Sequence, residues 1–148
     1  MLMKPLLIIG LLMMSVQSHA KQWQCEMLKI YVKNDTPFPC YLIKRITRGG
    51  RIASHHPYKI KPGYTVLQFE AYEDDTFTLP VPVDVELTYE CGEQHHVSLR
   101  STKDFCLYND GGTIGASIVN AENLNAVSHK IVGSYFDLKP GCIRWTIF

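Results

Sequence analysis

Several things are missing from this chain. After its first twenty residues there is no apolar run approaching the roughly 20 residues that a membrane-spanning helix needs. There is no C-x-x-C pair, so neither a redox dithiol nor a zinc ribbon is indicated. G-x-S-x-G, H-E-x-x-H, a Walker loop and a kinase signature are all absent. The chain therefore reads as a non-enzyme that needs no cofactor. Low-complexity tracts are lacking too, and with 46% apolar and 20% charged residues no long disordered region is expected. Net charge is nearly absent: 15 basic residues stand against 14 acidic ones. No global field draws the protein to nucleic acid or to an anionic membrane. Nor is there a basic sheet with interleaved aromatics of the kind that stacks single-stranded bases.

What is present begins with the leader. Met1 to Ala20 has one early charge, Lys4, then an apolar run from Leu6 to Met14 relieved by Gly10. Ser18 and Ala20 place small residues three before and one before a cut ahead of Lys21. This is the layout of a secretory signal peptide, residues 1–20, leaving one domain, residues 21–148. The residue at the cut is not cysteine, so no lipid anchor is indicated there. Without Lys4 the mature chain carries 14 charges of each sign. The protein is expected to be exported, periplasmic or secreted, with no transmembrane segment once the leader is removed.

Export makes the five cysteines candidates for disulfides. Gaps of 14 residues separate Cys25 from Cys40 and Cys91 from Cys106, which suggests two hairpin-like closures and leaves Cys142 unpaired.

Period-two alternation dominates the rest. Leu28, Ile30 and Val32 share one strand face, and Asn34-Asp35-Thr36-Pro37, which contains a glycosylation sequon, ends that strand. Tyr41 to Thr47 is a second strand, and Gly49-Gly50 suits a primed hairpin turn with Arg51 to Ser54 returning. Thr65 to Tyr72 is a third. From Phe77 to Cys91 every odd position is apolar, although Pro80 and Pro82 make the early part an edge. A loop of Gly92-Glu93-Gln94 sets Leu87 opposite Leu99 and Tyr89 opposite Val97. A two-residue loop would set apolar against polar, so the longer loop is selected. Tyr58 to Gly63 and Phe136 to Gly141 share an apolar-x-apolar-Lys-Pro-Gly frame that suits type II turns. Residues 115–130 divide between one short helix, from Ile114, Ile118 and Ala121, and a loop with an edge strand. The fold class is all-β: an antiparallel sandwich of about seven to nine strands with disulfides.

Two patterns could carry function. Between Lys44 and Lys61 there are six basic residues (Lys44, Arg45, Arg48, Arg51, Lys59, Lys61) and no acid, whereas Glu70 to Glu93 holds eight acids and no Lys or Arg. Either the basic hairpin docks an anionic partner, or basic and acidic strands lie side by side and neutralise each other. The histidines His55, His56, His95, His96 and His129 are weak metal candidates, because strand neighbours point to opposite faces. No metal site is assigned.

Thr88-Tyr89-Glu90-Cys91-Gly92, continuing to Val97, resembles the Tyr-x-Cys hairpin of small periplasmic inhibitors of C-type lysozyme. The likeness is confined to this hairpin. It implies a rigid inhibitory loop at Gly92-Glu93-Gln94.

The resulting expectation is an exported, disulfide-bonded, non-catalytic binding protein of the cell envelope or extracellular space. Its partner would be a protein or glycan, met through the basic hairpin. The alternatives are a secreted inhibitor of a hydrolase (lysozyme or protease) and a lipid-binding sandwich module.

Overall fold

The structure, a computed structural model, describes residues 25–55, 57–73, 81–106, 111–134, 136–137 and 139–148, with Ser54 and His55 described by their backbone alone. The leader and its cut at Lys21 lie outside the described residues, as do His56, Phe77, Leu79, Pro80 and Leu138.

Ten strands are found among the described residues: β1 (Met27–Asn34), β2 (Cys40–Gly49), β3 (Arg51–His55), β4 (Lys59–Ile60), β5 (Thr65–Tyr72), β6 (Val83–Glu90), β7 (His96–Lys103), β8 (Ile114–Glu122), β9 (Ala126–Ile131) and β10 (Gly141–Ile147). They form two packed sheets, with orders β3-β5-β1-β10-β9 and β4-β2-β6-β7-β8. The fold is an all-β sandwich. Neighbouring strands run antiparallel except β1 and β10, which are parallel.

Alternation builds the core. Leu28, Ile30 and Val32 from β1, Phe69 and Ala71 from β5, and Ile143, Trp145 and Ile147 from β10 face inward from the first sheet. Val83, Val85, Leu87 and Tyr89 from β6, with Val97 and Leu99 from β7, meet them from the second. Two hydrogen bonds cross the core. Tyr89 Oη donates to Gln68 Oε1 at 3.0 Å and Trp145 Nε1 donates to Ser101 Oγ at 2.9 Å. Full burial pushes the Tyr89 phenol well above its ordinary value, so it serves as a neutral donor.

The β6–β7 hairpin has the register that apolar matching selects: Leu87 opposite Leu99, Tyr89 opposite Val97 and Glu90 opposite His96. Gly92 (φ 98°) opens the turn. A Cβ there would meet the Phe38 ring at 3.1 Å.

Four expectations are corrected. Gly49-Gly50 is not a hairpin turn. It is the corner where the chain leaves the second sheet for the first, and β3 pairs with β5 instead of β2. Gly50 has φ 82°, and a Cβ on it would lie 2.5 Å from Tyr72 O, so this corner admits only glycine. Residues 115–130 hold no helix; β8 and β9 occupy them as the lateral edge strands of opposite sheets. The disulfides are Cys25–Cys106 and Cys40–Cys91, which crosses the two pairings that the equal gaps suggest; Cys142 carries a free thiol. Equal spacing has no bearing on pairing once strands from distant parts of the chain are neighbours. Finally, the Lys-Pro-Gly echo is not structural. Lys61-Pro62-Gly63 is a turn, closed by Tyr64 N donating to Lys61 O at 3.1 Å, while Gly141 begins β10.

One end of the sandwich is bolted by ions and sulfur. Lys103 and Glu73, both buried, pair at 2.9 Å, and the same Glu73 oxygen accepts from Cys106 N at 2.7 Å. The Cys25–Cys106 bridge therefore lies beside an ion pair that ties the end of β5 to the end of β7.

Candidate functional site

The opposite end of the sandwich is different in character. The register runs Lys33 beside Thr65 and Thr146, Cys40 beside Ile60, Glu90 beside His96, and Ile147 beside Ala126. The loops after β1, β4, β6 and β8, together with the C-terminal Phe148, thus gather at one pole. Asn34 organises them. It is buried, and its Nδ2 donates to Phe38 O (2.7 Å) and Ile60 O (2.9 Å), while Thr36 N donates to its Oδ1 (2.9 Å). Its backbone accepts from Gly63 N at 2.7 Å and donates to Tyr64 O at 3.0 Å. The sequon amide is consumed by this network, and a glycan on it has no room in the folded domain.

The loops held by Asn34 present Phe38 and Tyr64 to solvent; Tyr41 near the start of β2, Tyr58 just before β4 and the C-terminal Phe148 flank them, and the five are between 43% and 60% exposed. A soluble domain normally buries such rings, and aromatic residues clustered on one braced end mark a contact surface. Charges among them are mixed. Lys33 pairs with Asp35 at 3.1 Å, Lys59 Nζ lies 5.7 Å from the Tyr41 ring centroid, Lys61 is exposed, and Glu93 projects from the next loop. Sequence pattern passes over this pole because all of its rings except Tyr41 sit outside the strand segments. A signal was present nonetheless: Pro37-Phe38-Pro39, Pro57-Tyr58 and Gly63-Tyr64 each put a large ring in a turn, where burial is not expected.

The Gly92-Glu93-Gln94 loop is at the same pole. Asn123 Nδ2 donates to Gln94 O at 2.9 Å, and Gln94 holds φ 58°.

The six basic residues of the sequence expectation are dispersed. Lys59 and Lys61 belong to the aromatic pole. Lys44 and Arg45 lie midway along β2, where with Leu42, Ile43 and Tyr58 they line a shallow hollow of about 230 Å³. The Arg45 guanidinium reaches to 5.5 Å from the Phe69 ring centroid. Arg51 is in the other sheet, 5.9 Å from the Tyr72 ring centroid. Arg48 is tied to acids on β6: its Nη2 to Glu86 and its Nη1 to Asp84 at 3.9 Å. Arg100 grips Asp84 with two bonds, of 2.9 and 2.7 Å. In this part of the second sheet, basic and acidic strands do lie side by side and neutralise each other.

The Arg100 bond holds the Asp84 carboxyl below its ordinary range, with Coulomb attraction from Arg100 and Arg48 adding to it and partial burial opposing it. A depressed carboxylate stabilises the fold above its unfolded value, about pH 3.9, and that contribution is lost as pH falls through the lower folded value. Urea unfolding followed from pH 5 to pH 2.5 should show an acid loss of stability that is smaller in Asp84→Asn; equal acid loss in the two proteins would contradict this.

The histidines whose side chains are described, His95, His96 and His129, do not converge. His96 lies between Glu90 (3.1 Å) and Glu122 (3.7 Å) on the second sheet, His95 Nδ1 meets Glu93 O, and His129 is on the first sheet. Among the described residues no group of three or more His, Cys, Asp or Glu is placed to hold a metal ion.

A second concavity, of about 330 Å³, lies on the outer face of the first sheet and is lined in part by Lys33, Thr65, His129, Arg144 and Thr146. Only His129 of these was a sequence candidate. The others come from three strands, β1, β5 and β10, and pairing alone brings them together.

No protein-family model matches the chain, and no curated protein matches it in sequence. Solved structures do share the fold. IP-1A from Alcaligenes faecalis is 12% identical with a TM-score of 0.53, over 87% of this chain and 95% of that one. The lipid-binding protein Nakanori is 10% identical with a TM-score of 0.56, over 94% of this chain and 84% of that one. Identities this low speak for the fold alone. The two disulfides fit an oxidising, extracytoplasmic compartment. Among the described residues no helix is long and apolar enough to cross a membrane.

Proposed function

We propose that the protein is an exported, non-catalytic lipid-binding module that lays its aromatic pole on the interface of a zwitterionic membrane. The observation that carries this reading is the group of Phe38, Tyr41, Tyr58, Tyr64 and Phe148, all exposed towards one end, with the Phe38 and Tyr64 loops braced by Asn34. Tyrosine and phenylalanine suit the headgroup region, where one end of a side chain is wet and the body is apolar. The mixed charges around the rings favour a surface with no net charge, in keeping with 14 basic and 14 acidic residues after the leader. A sandwich of the same fold in a protein described as lipid binding agrees with it. The basic residues Lys59 and Lys61 contribute at the rim of this surface.

Co-sedimentation with phosphatidylcholine vesicles tests the reading. The wild-type protein should pellet with them. Phe38→Ser, Tyr64→Ser and Phe148→Ser together should weaken binding at least about tenfold, since full burial of one such ring is worth ~1.5–3 kcal/mol. Wild-type protein that stays in the supernatant at every lipid concentration would end the proposal.

A further inference from the structure

The cleft on the outer face of the first sheet has no part in the aromatic contact, and its chemistry is specific. Cross-strand register sets its residues in two rows. The first row is Thr65, Lys33, Thr146 and Val127, taken across β5, β1, β10 and β9. The second is Leu67, Tyr31, Arg144 and His129 across the same strands. One row thus supplies an ammonium between two hydroxyls, and the next supplies a guanidinium beside an imidazole.

The Arg144 guanidinium is 5.5 Å from the Tyr31 ring centroid, a contact that orients it along the sheet surface. Lys33 shares its charge with Asp35 at 3.1 Å, but both side chains are more than 40% exposed, and an ion pair of that kind is weak enough to accept a second anion. Among the described residues no carboxylate lines the cleft. Two fixed cations, hydroxyl donors and a volume of about 330 Å³ match an oxyanion the size of a phosphodiester.

Position argues which oxyanion. The first row lies one residue inside the pole: Thr65 follows Tyr64, and Thr146 is two residues from Phe148. At ~3.4 Å per strand residue, the backbone positions of Tyr64 and Phe148 lie within about 7 Å of the first row. We propose that the cleft formed by Lys33, Thr65, Arg144 and Thr146 binds the phosphate of a phospholipid headgroup while the neighbouring rings rest at the boundary between headgroups and acyl chains. The proposal rests on the membrane reading for its choice of ligand, whereas the oxyanion chemistry is read from the cleft alone.

The test uses the mature protein, isotope-labelled, titrated separately with inorganic phosphate and with dihexanoylphosphatidylcholine below its micelle concentration. Backbone amides of Lys33, Thr65, Arg144 and Thr146 should shift with both probes. Arg144→Gln and Lys33→Gln should each weaken both titrations about tenfold, as expected for loss of one charge-assisted contact. Lys44→Gln, far from the cleft, should change neither. Shifts that ignore Arg144→Gln and Lys33→Gln, or no shifts with either probe, would overturn the site. Response to inorganic phosphate without response to the phosphodiester would overturn the headgroup assignment. The two proposals fail separately. Phosphatidylcholine vesicles that bind Arg144→Gln as well as wild type would defeat the cleft and leave the aromatic contact standing. Cleft shifts in a protein that never pellets with vesicles would defeat the membrane reading and leave an oxyanion site.

Discussion

Lys103→Met is expected to lower the free energy of unfolding by ~3–5 kcal/mol, the usual loss when one member of a buried ion pair is removed. The pair is enclosed, so the surviving Glu73 carboxyl would be left buried without the ammonium 2.9 Å away. Glu73→Gln alone should cost a similar amount for the opposite reason, since it strands the Lys103 ammonium. The amide would still accept from Cys106 N, the second partner of that oxygen. The double variant, Lys103→Met with Glu73→Gln, leaves no unpaired charge and keeps that acceptor. It should therefore recover most of the loss, giving a coupling energy of about 2 kcal/mol or more in a double-mutant cycle. Urea denaturation of the four proteins measures it. Single variants that each cost less than about 1 kcal/mol would show that the pair is not enclosed as described.

Removing either disulfide should have an effect of comparable size. Cys40–Cys91 closes 51 residues and Cys25–Cys106 closes 81. In the chain-entropy picture these contribute about 4 and about 4.5 kcal/mol respectively. The double variants Cys40→Ala/Cys91→Ala and Cys25→Ala/Cys106→Ala should each lower stability by roughly these amounts, and in different ways. Cys40 and Cys91 join adjacent strands of one sheet, directly beneath the Phe38 loop, so their loss should also loosen the aromatic pole. Cys25 and Cys106 join the two sheets at the far end, and their loss should spare the pole. Hydrogen exchange of the Asn34 and Tyr64 amides separates the two cases. Faster exchange there in both variants, or in neither, would contradict this division.

How much of this was legible in the sequence depends on range. Where a local pattern carries its own partner it reads correctly: Val83–Glu90 and His96–Lys103 differ by one short loop, and only one register sets apolar against apolar. The Leu28-Ile30-Val32 face is equally plain, since β1 is buried on one side only; in Thr65–Tyr72 a bulge at Gln68 turns Leu67 to the outer face, away from Phe69 and Ala71, which strict alternation does not foresee. The misreadings arise where the deciding partner is far away. Gly49-Gly50 satisfies a hairpin turn and a sheet-to-sheet corner alike, and the choice is made by Ile52 meeting Ala71. The helical spacing of Ile114, Ile118 and Ala121 comes from a bulge. Ser98 faces Asn120 and Leu99 faces Ile118, so Val119 is an extra residue that breaks the period of two. The lateral position of β8 adds to the confusion, because Ser117 to Glu122 are exposed on both sides and show no alternation.

The functional surfaces were harder still. The aromatic pole is assembled from Phe38 and Tyr41 around the start of β2, Tyr58 and Tyr64 on either side of β4, and the C-terminal Phe148, and the cleft from four strands whose members are as distant as Lys33 and Arg144. Neither forms a run or a motif. The basic stretch from Lys44 to Lys61 was conspicuous because it is contiguous, yet Arg48 is committed to Asp84 and Glu86, which follow only after β5. Contiguity in sequence and convergence in space are independent in a sandwich where parallel partners such as β1 and β10 are more than a hundred residues apart.

The most direct measurement is the depth of the aromatic pole in a bilayer. Tyr64→Trp and, at the opposite end, Phe136→Trp would be bound to phosphatidylcholine vesicles with and without brominated acyl chains, and each emission compared with that of a reference lacking both. Both variants and their reference also carry Trp23→Phe, so that the one other indole is the buried Trp145, which gives a constant background. Quenching of the indole at position 64 with none at position 136 is the predicted result; equal quenching at both ends, or none at position 64 in vesicle-bound protein, would contradict it.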